Sequence, residues 1–288
     1  MCSVVLQTHG RGVQLIRVRK WIAKNIKPRH HIGIARTTKQ ATMAADLITL
    51  PKDVDVNKIT LAAPKNLDNG GKMVYLYHKT KPFIIQTPVM YAPYGVSKWA
   101  NDKGGPDKYN LDLSFGSDNK DKPVSKDVAD FMELIKRFDD VMIDFGVNNS
   151  QAWFKKNLKT RDVVEALYTP LVKYAKDKET GEVTDKYPPT MRFQLPLNRD
   201  GKIACEVYNK NCEKVPFDGI DTKRALVSAI VQCNGIWVAG GKFGCTFKIM
   251  QMKVVPNANV KVVPNANGLR ALPVGVCLFV EDPDDVDA

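Results

Sequence analysis

Leu226-Val227-Ser228-Ala229-Ile230-Val231-Gln232-Cys233-Asn234-Gly235-Ile236-Trp237-Val238, followed by Ala239-Gly240-Gly241-Lys242 and then Phe243 to Val255, is the stretch on which the fold turns. From Ala225 to Gly241 it holds no charge, with Arg224 and Lys242 at its borders. Such a run is either a membrane span or buried strands. Ser228, Gln232, Asn234 and Gly235 make it too polar for lipid, so it reads as a pair of buried strands. In the second arm Phe243, Cys245, Phe247 and Ile249 share one face, with Thr246, Lys248, Met250 and Met252 on the other. Gly240-Gly241 then forms a hairpin turn, where glycine supplies positive φ. A phosphate-loop reading of these glycines fails. Ile236 stands where the pattern needs its first glycine, and Phe243 follows the lysine where Ser or Thr is required.

Outward from this hairpin the chain stays mainly β, with helices between two β regions. Met191, Phe193, Leu195 and Leu197 share one face of a strand, Asn198 to Lys202 turns, and Ile203 to Tyr208 returns. Ile59 to Trp99 is rich in aromatic and β-branched residues, with a turn at Asn69-Gly70-Gly71. Leu111 to Phe115 alternates as a strand with one wet face. Between the two regions Val128, Phe131, Met132, Ile135, Phe138, Met142 and Phe145 recur at helical spacing. Ser125 is placed to cap this helix and Asp127 to sit in its first turn. Its other face (Asp130, Glu133, Asp139, Asp140) would repel phosphate, so the helix reads as scaffold. A second helix is expected over Asp162 to Lys176, kinked or divided at Pro170. The expected organisation is a basic arm over 1–45, a domain over 46–270 with a helical insertion at about 125–177, and a tail over 271–288.

The termini differ sharply in charge. Residues 1–45 hold nine Lys or Arg and no acid. Leu15, Val18, Ile22 and Ile26 fall on one side of a helical wheel, and Arg17, Lys20, Lys24 and Lys27 on the other. A nucleic-acid arm, a membrane-surface helix, a targeting presequence and a helix packed on the body all fit that pattern. The last eight residues include Glu281, Asp282, Asp284, Asp285 and Asp287 and no base, on a chain of formal net charge +12. A tail of this kind competes with polyanions for a basic surface and attracts basic partners. Lys253 to Asn259 recurs as Lys261 to Asn267, two copies only, which is too few for a solenoid.

Composition narrows the function. A sequence pI near 9.3 points to an acidic partner. The six cysteines contain no Cys-x-x-Cys and match no common zinc spacing, so no metal or cofactor is expected and a reducing compartment fits. The N-terminus lacks the apolar run of a secretory signal. His78 is the only histidine outside the N-terminal segment, which leaves a Ser-His-Asp or Cys-His arrangement poorly supplied. The chain therefore reads as non-catalytic. What it has in quantity is aromatic residues interleaved with lysines, the set that holds single-stranded nucleic acid: rings stack bases at about 1–3 kcal/mol each and lysines track phosphates. The stacking candidates are Tyr77, Tyr91, Tyr94, Trp99 and Trp237. The phosphate candidates are Lys79, Lys81, Lys98, Lys242 and Lys248. Phe83, Phe243 and Phe247 sit in apolar alternation and belong to the core.

Pro88-Val89-Met90-Tyr91-Ala92-Pro93-Tyr94-Gly95-Val96 and the run from Val231-Gln232-Cys233-Asn234-Gly235-Ile236-Trp237 to Lys253 resemble a family of single-stranded DNA-binding proteins. That family occurs in nucleocytoplasmic large DNA viruses and is related to the phage T7 type. The likeness spans roughly Pro82 to Val255. It implies an OB-fold barrel with an inserted helix, an acidic C-terminal tail, and non-catalytic coating of single strands. In the T7 type the tail ends in an aromatic, whereas here Phe279 precedes the acids.

The expected function is sequence-tolerant single-stranded DNA binding in viral replication, recombination or repair, in host cytoplasm or nucleus. Replication proteins would be recruited through the tail, and a homo-oligomer fits the same role. A basic virion or core protein packing duplex DNA is the alternative, and a metal-dependent nuclease the third.

Overall fold

Five strands of the computed structural model close on one another. They are β1 (Met90–Ala92), β2 (Lys108–Ser114), β3 (Thr190–Leu195), β4 (Ala225–Ala239) and β5 (Lys242–Val255). β1 meets β2 at Tyr91 and Ser114, and β2 runs antiparallel to β3 from Tyr109–Leu195 to Ser114–Thr190. β3 lies parallel to β5 at Phe193–Phe247, β5 returns along β4 as the hairpin, and β4 closes onto β1 from Ala225–Ala92 to Val227–Met90. The order around the ring is 1-2-3-5-4-1, the Greek-key barrel order of an OB fold. The fold is thus mainly β and OB-like. The structure describes residues 47–100, 105–117, 122–256, 277 and 279. The basic arm, the second copy of the repeat and the acidic tail lie outside the described residues. Ile48–Cys277 forms one unit.

The ring forms because the two-residue period of each strand points inward. Leu111 and Leu113 of β2, Met191, Phe193 and Leu195 of β3, and Phe243, Cys245, Phe247 and Ile249 of β5 are all buried. Two irregularities bend the long hairpin. Between Ile230 and Val231 the register skips Met250 of β5. The alternation inverts there: Met250 is exposed, and Met252 and Val254 turn into the core. Met252 therefore does not share the outer face of Thr246 and Lys248, as unbroken alternation predicts. The second irregularity skips Asn234 of β4, and Gly235 follows with φ +115°. A Cβ on Gly235 would lie 2.6 Å from the carbonyl oxygen of Val74, so only glycine fits. At the hairpin tip Gly240 and Gly241 both have positive φ, the two-residue turn that matches strand twist.

The far edge of β4 is covered in turn by Lys72–Val74, Ile84–Gln86 and β1. The helix α1 (Lys126–Asn148) packs its apolar face on the barrel. Ser125 caps it by accepting from Val128 N, and Asp127 stands in the first turn. Phe138 stacks on Phe83 with centroids 5.6 Å apart and meets the edge of Phe247 at 5.8 Å. Asp139, expected on the outer acidic face, instead lies on the buried one, where it accepts from Tyr168 OH (2.6 Å) and Leu171 N (3.0 Å).

Two further expectations change. The helix expected over Asp162 to Lys176 is only α3 (Arg161–Glu165), after the short α2 (Ser150–Phe154). Tyr168–Thr169 then runs parallel to β5 and Val172–Lys173 antiparallel to β3. Pro170 has no N–H to donate and ends the helical pattern, while open strand edges capture the residues around it. The return from Asn198–Lys202 keeps only a Leu197–Ile203 bridge to its own arm. Glu206–Tyr208 pairs instead in parallel with Gln251–Lys253 of β5. No helix of the described residues is long and apolar enough to cross a membrane.

Candidate nucleic-acid interface

The residues after β1 leave the barrel as a ribbon. Val96–Trp99 pairs with the first half of β2, Trp99 opposite Lys108 and Ser97 opposite Asn110. Its base is fixed. Thr222 Oγ1 accepts from Val96 N at 3.1 Å, and Gly95 (φ +69°) lies so close to Lys223 that a Cβ would be 2.9 Å from its backbone nitrogen. Trp99 emerges from this anchored ribbon 70% exposed, and Tyr94, two residues before the ribbon, is 62% exposed. A ring that open, on a backbone this constrained, is available to stack a base.

From the ribbon a row of polar side chains crosses the outer face of the barrel. Ser97 faces Asn110, Asn110 faces Gln194, Gln194 faces Lys248, and Lys248 faces Gln232. Cross-strand partners share a face, so these five residues from five adjacent strands form one continuous band. Asn234, at the bulge, donates to Gln194 Oε1 (3.1 Å) and Thr246 Oγ1 (3.2 Å), which locks the middle of the band. Sequence reading missed these amides. Asn and Gln are common on wet faces, and only the register lines them up. Further along the hairpin Trp237 is half-buried on the same face, in the space that Gly244 leaves open, and Lys242 is exposed at the turn.

The structure thus brings Trp99, Trp237, Lys242 and Lys248 onto one outer surface, with Tyr94 exposed just before the ribbon. Tyr91 is half-buried on that surface too, but opposite Ser114, at the other end of β2 from Lys108. Lys98 points to the opposite side of the ribbon. It pairs with Asp107 at 2.8 Å, which raises its pKa through the hydrogen bond and the charge, and it lies 6.0 Å from the Tyr109 ring centre. Tyr77, Lys79 and Lys81 belong to a separate sheet of Ile59–Leu61, Leu76–His78 and Lys81–Pro82. There Lys79 and Thr80 make a positive-φ turn and Lys79 Nζ reaches Asp53 O at 3.4 Å. His78 beneath it is buried, accepts from Asp55 N at 3.3 Å, and has its pKa lowered by burial. The acids Glu281, Asp282, Asp284, Asp285 and Asp287 lie outside the described residues.

Charge on the outer face is uneven. Arg192 makes a two-point bridge to Asp112 (2.7 and 2.8 Å) beside the polar band, which neutralises both. Lys108, Lys242 and Lys248 have no ion-pair partner among the described residues, which leaves their charge on the outer face uncompensated there. No group of three or more His, Cys, Asp or Glu among the described residues is placed to hold a metal ion.

A barrel of this strand order, with exposed rings and with cations that lack an ion-pair partner among the described residues on its outer face, defines a class by its architecture: a mainly β, OB-like fold. Residues 115–267 match a family described as of unknown function (DUF5871), and the chain belongs to that family. None of the curated proteins matches. Among solved structures the chain is similar to gp2.5, a single-stranded DNA-binding protein encoded by bacteriophage T7, at 13% identity and a TM-score of 0.36, over 66% of this chain and 100% of that one. It is also similar to the single-stranded DNA-binding protein of bacteriophage Enc34 in complex with single-stranded DNA, at 12% identity and a TM-score of 0.38, over 69% and 96%. The fold assignment rests on the strand order of this chain rather than on those superpositions.

Proposed function

We propose that this protein binds single-stranded DNA across the outer face of its barrel, without reading sequence and without catalysis. The observation that carries this reading is the continuity of Trp99, the Ser97-to-Gln232 band, Lys248 and Lys242 over five adjacent strands. Exposed rings stack any base, amides and lysines meet phosphate or base edges, and nothing in the row forms a rigid base-reading fork. The role is coating of single strands in viral replication, recombination or repair, supported by the sequence resemblance over Pro82 to Val255. In that role the acidic tail competes for the face and recruits replication proteins.

The test is fluorescence anisotropy with single-stranded and duplex DNA of equal length over a salt titration. Single-strand preference that persists as salt rises is the expected result, because stacking is not screened. Equal affinities that vanish together with salt would move the protein to the duplex-packing reading. Magnesium-dependent cleavage of either substrate would move it to the nuclease reading.

A further inference from the structure

The hairpin over residues 173–189 is absent from the site described so far, and it adjoins the end of the barrel where Tyr91 sits. There a second row crosses the strands: Leu226 faces Tyr91, Tyr91 faces Ser114, Ser114 faces Thr190, and Thr190 faces Lys173. Beyond Lys173 the chain folds back on itself. Lys176 bridges to Val183, Asp177 N donates to Glu182 O (2.8 Å), and the Asp177 carboxylate accepts from Glu179 N and Thr180 N at 2.8 and 3.0 Å. The return is pinned at Pro188 and Pro189. Phe115 N donates to Pro189 O at 2.9 Å, and Pro188 packs so closely on Gly116 that a Cβ there would be 2.3 Å away. Tyr187, the next residue, is 52% exposed, with Lys186 Nζ 5.6 Å from its ring centre. The Tyr187 backbone, joined to Pro188, thus lies on the far side of the Ser114–Gly116 segment from Tyr91.

We infer that Tyr187, Lys186 and Lys173, with Tyr91, form a second contact station for the same single strand, at the opposite end of β2 from Trp99. This inference rests on the single-strand reading above and deepens it. Lys108 and Ser114 are six residues apart on one strand, roughly 20 Å at about 3.3 Å per residue. At the roughly 3.4 Å spacing of stacked nucleotides that is about six nucleotides.

The consequence is a dependence on strand length. A strand of about four nucleotides engages one station and a strand of about twelve engages both, within the site sizes of such folds. The experiment measures affinity for deoxythymidine strands of about 4, 8 and 12 nucleotides, in wild type, the double variant Lys186→Ala/Tyr187→Ala, and Trp99→Ala. The double variant should keep the short-strand affinity within about two-fold and lose about 5- to 150-fold on the long strand, the range of one stacked base. Tm identifies any loss of folding. A double variant that matches wild type at every length overturns the second station, while Trp99→Ala still reports on the first. Equal losses at all lengths overturn it too, since they describe one compact site. If the wild type binds no single strand, the underlying reading falls, and the second station with it.

Discussion

Trp99 and Trp237 carry the same ring in different settings, and the difference decides what each substitution does. Trp99 is 70% exposed on a ribbon, whereas Trp237 fills the space over Gly244. Trp99→Ala is expected to weaken single-strand binding about 5- to 150-fold with Tm unchanged. Trp237→Ala should lower Tm as well, because it uncovers the hairpin. Thermal melts beside anisotropy separate the two, and a Tm loss for Trp99→Ala would sink the assignment. Asp139 is a different residue-scale case. Burial is the main cause that pushes its pKa up to about 6 from 3.8, against the hydrogen bonds from Tyr168 and Leu171 and with Asp140 adding to the rise. The native state then holds a proton between those values that the unfolded chain has released. Stability from this site is fully present below about pH 4 and is lost as pH rises through 6, by at most about 3 kcal/mol. Asp139→Asn removes that dependence while keeping an acceptor for Tyr168. The Tm difference between wild type and variant should therefore change between pH 4 and 6, and a constant difference would refute the assignment. Exposed rings were legible in the sequence because Pro93 and Gly95 break the segment that carries Tyr94. The amides of the polar band were not, since their meaning lies only in cross-strand register.

At the scale of elements, local pattern succeeded where one segment decides and failed where partners compete. The β4–β5 hairpin, its turn and α1 with its Ser125 cap are all written in contiguous residues. The strands at Tyr168–Thr169 and Val172–Lys173 are not, because edges of β5 and β3 impose them. The ribbon Val96–Trp99 gives an element-scale prediction. Asp107 holds Lys98 on the side away from the polar band. Asp107→Asn should release that lysine, tighten single-strand binding at low salt, and steepen the log–log salt slope by about 0.7, the value for one added phosphate contact. An unchanged slope would mean that Lys98 cannot reach the strand.

For the whole molecule, the closed strand order is what a reading of isolated segments could not supply. Mainly β character follows from composition and period. Closure depends on Tyr91 meeting both Ser114 and Leu226 across long separations. Overall charge is readable directly. Removing residues 281–288 takes away five acids and raises the formal net charge from +12 to +17. Single-strand affinity should then rise at low salt and converge with that of the full chain at high salt. Equal affinity at low salt would show that the tail does not compete for the face.

The covering of β4 along both edges also has a consequence in time. Its hairpin with β5 joins neighbours in sequence, but its seam with β1 joins Ala225 to Ala92 and must wait for the intervening chain to order. Contacts of such long separation slow assembly. The hairpin is therefore expected to form early and the seam last. In native-state hydrogen exchange, the amides of β4 that face β5 should open only with the whole molecule, and those at the β1 seam should open first.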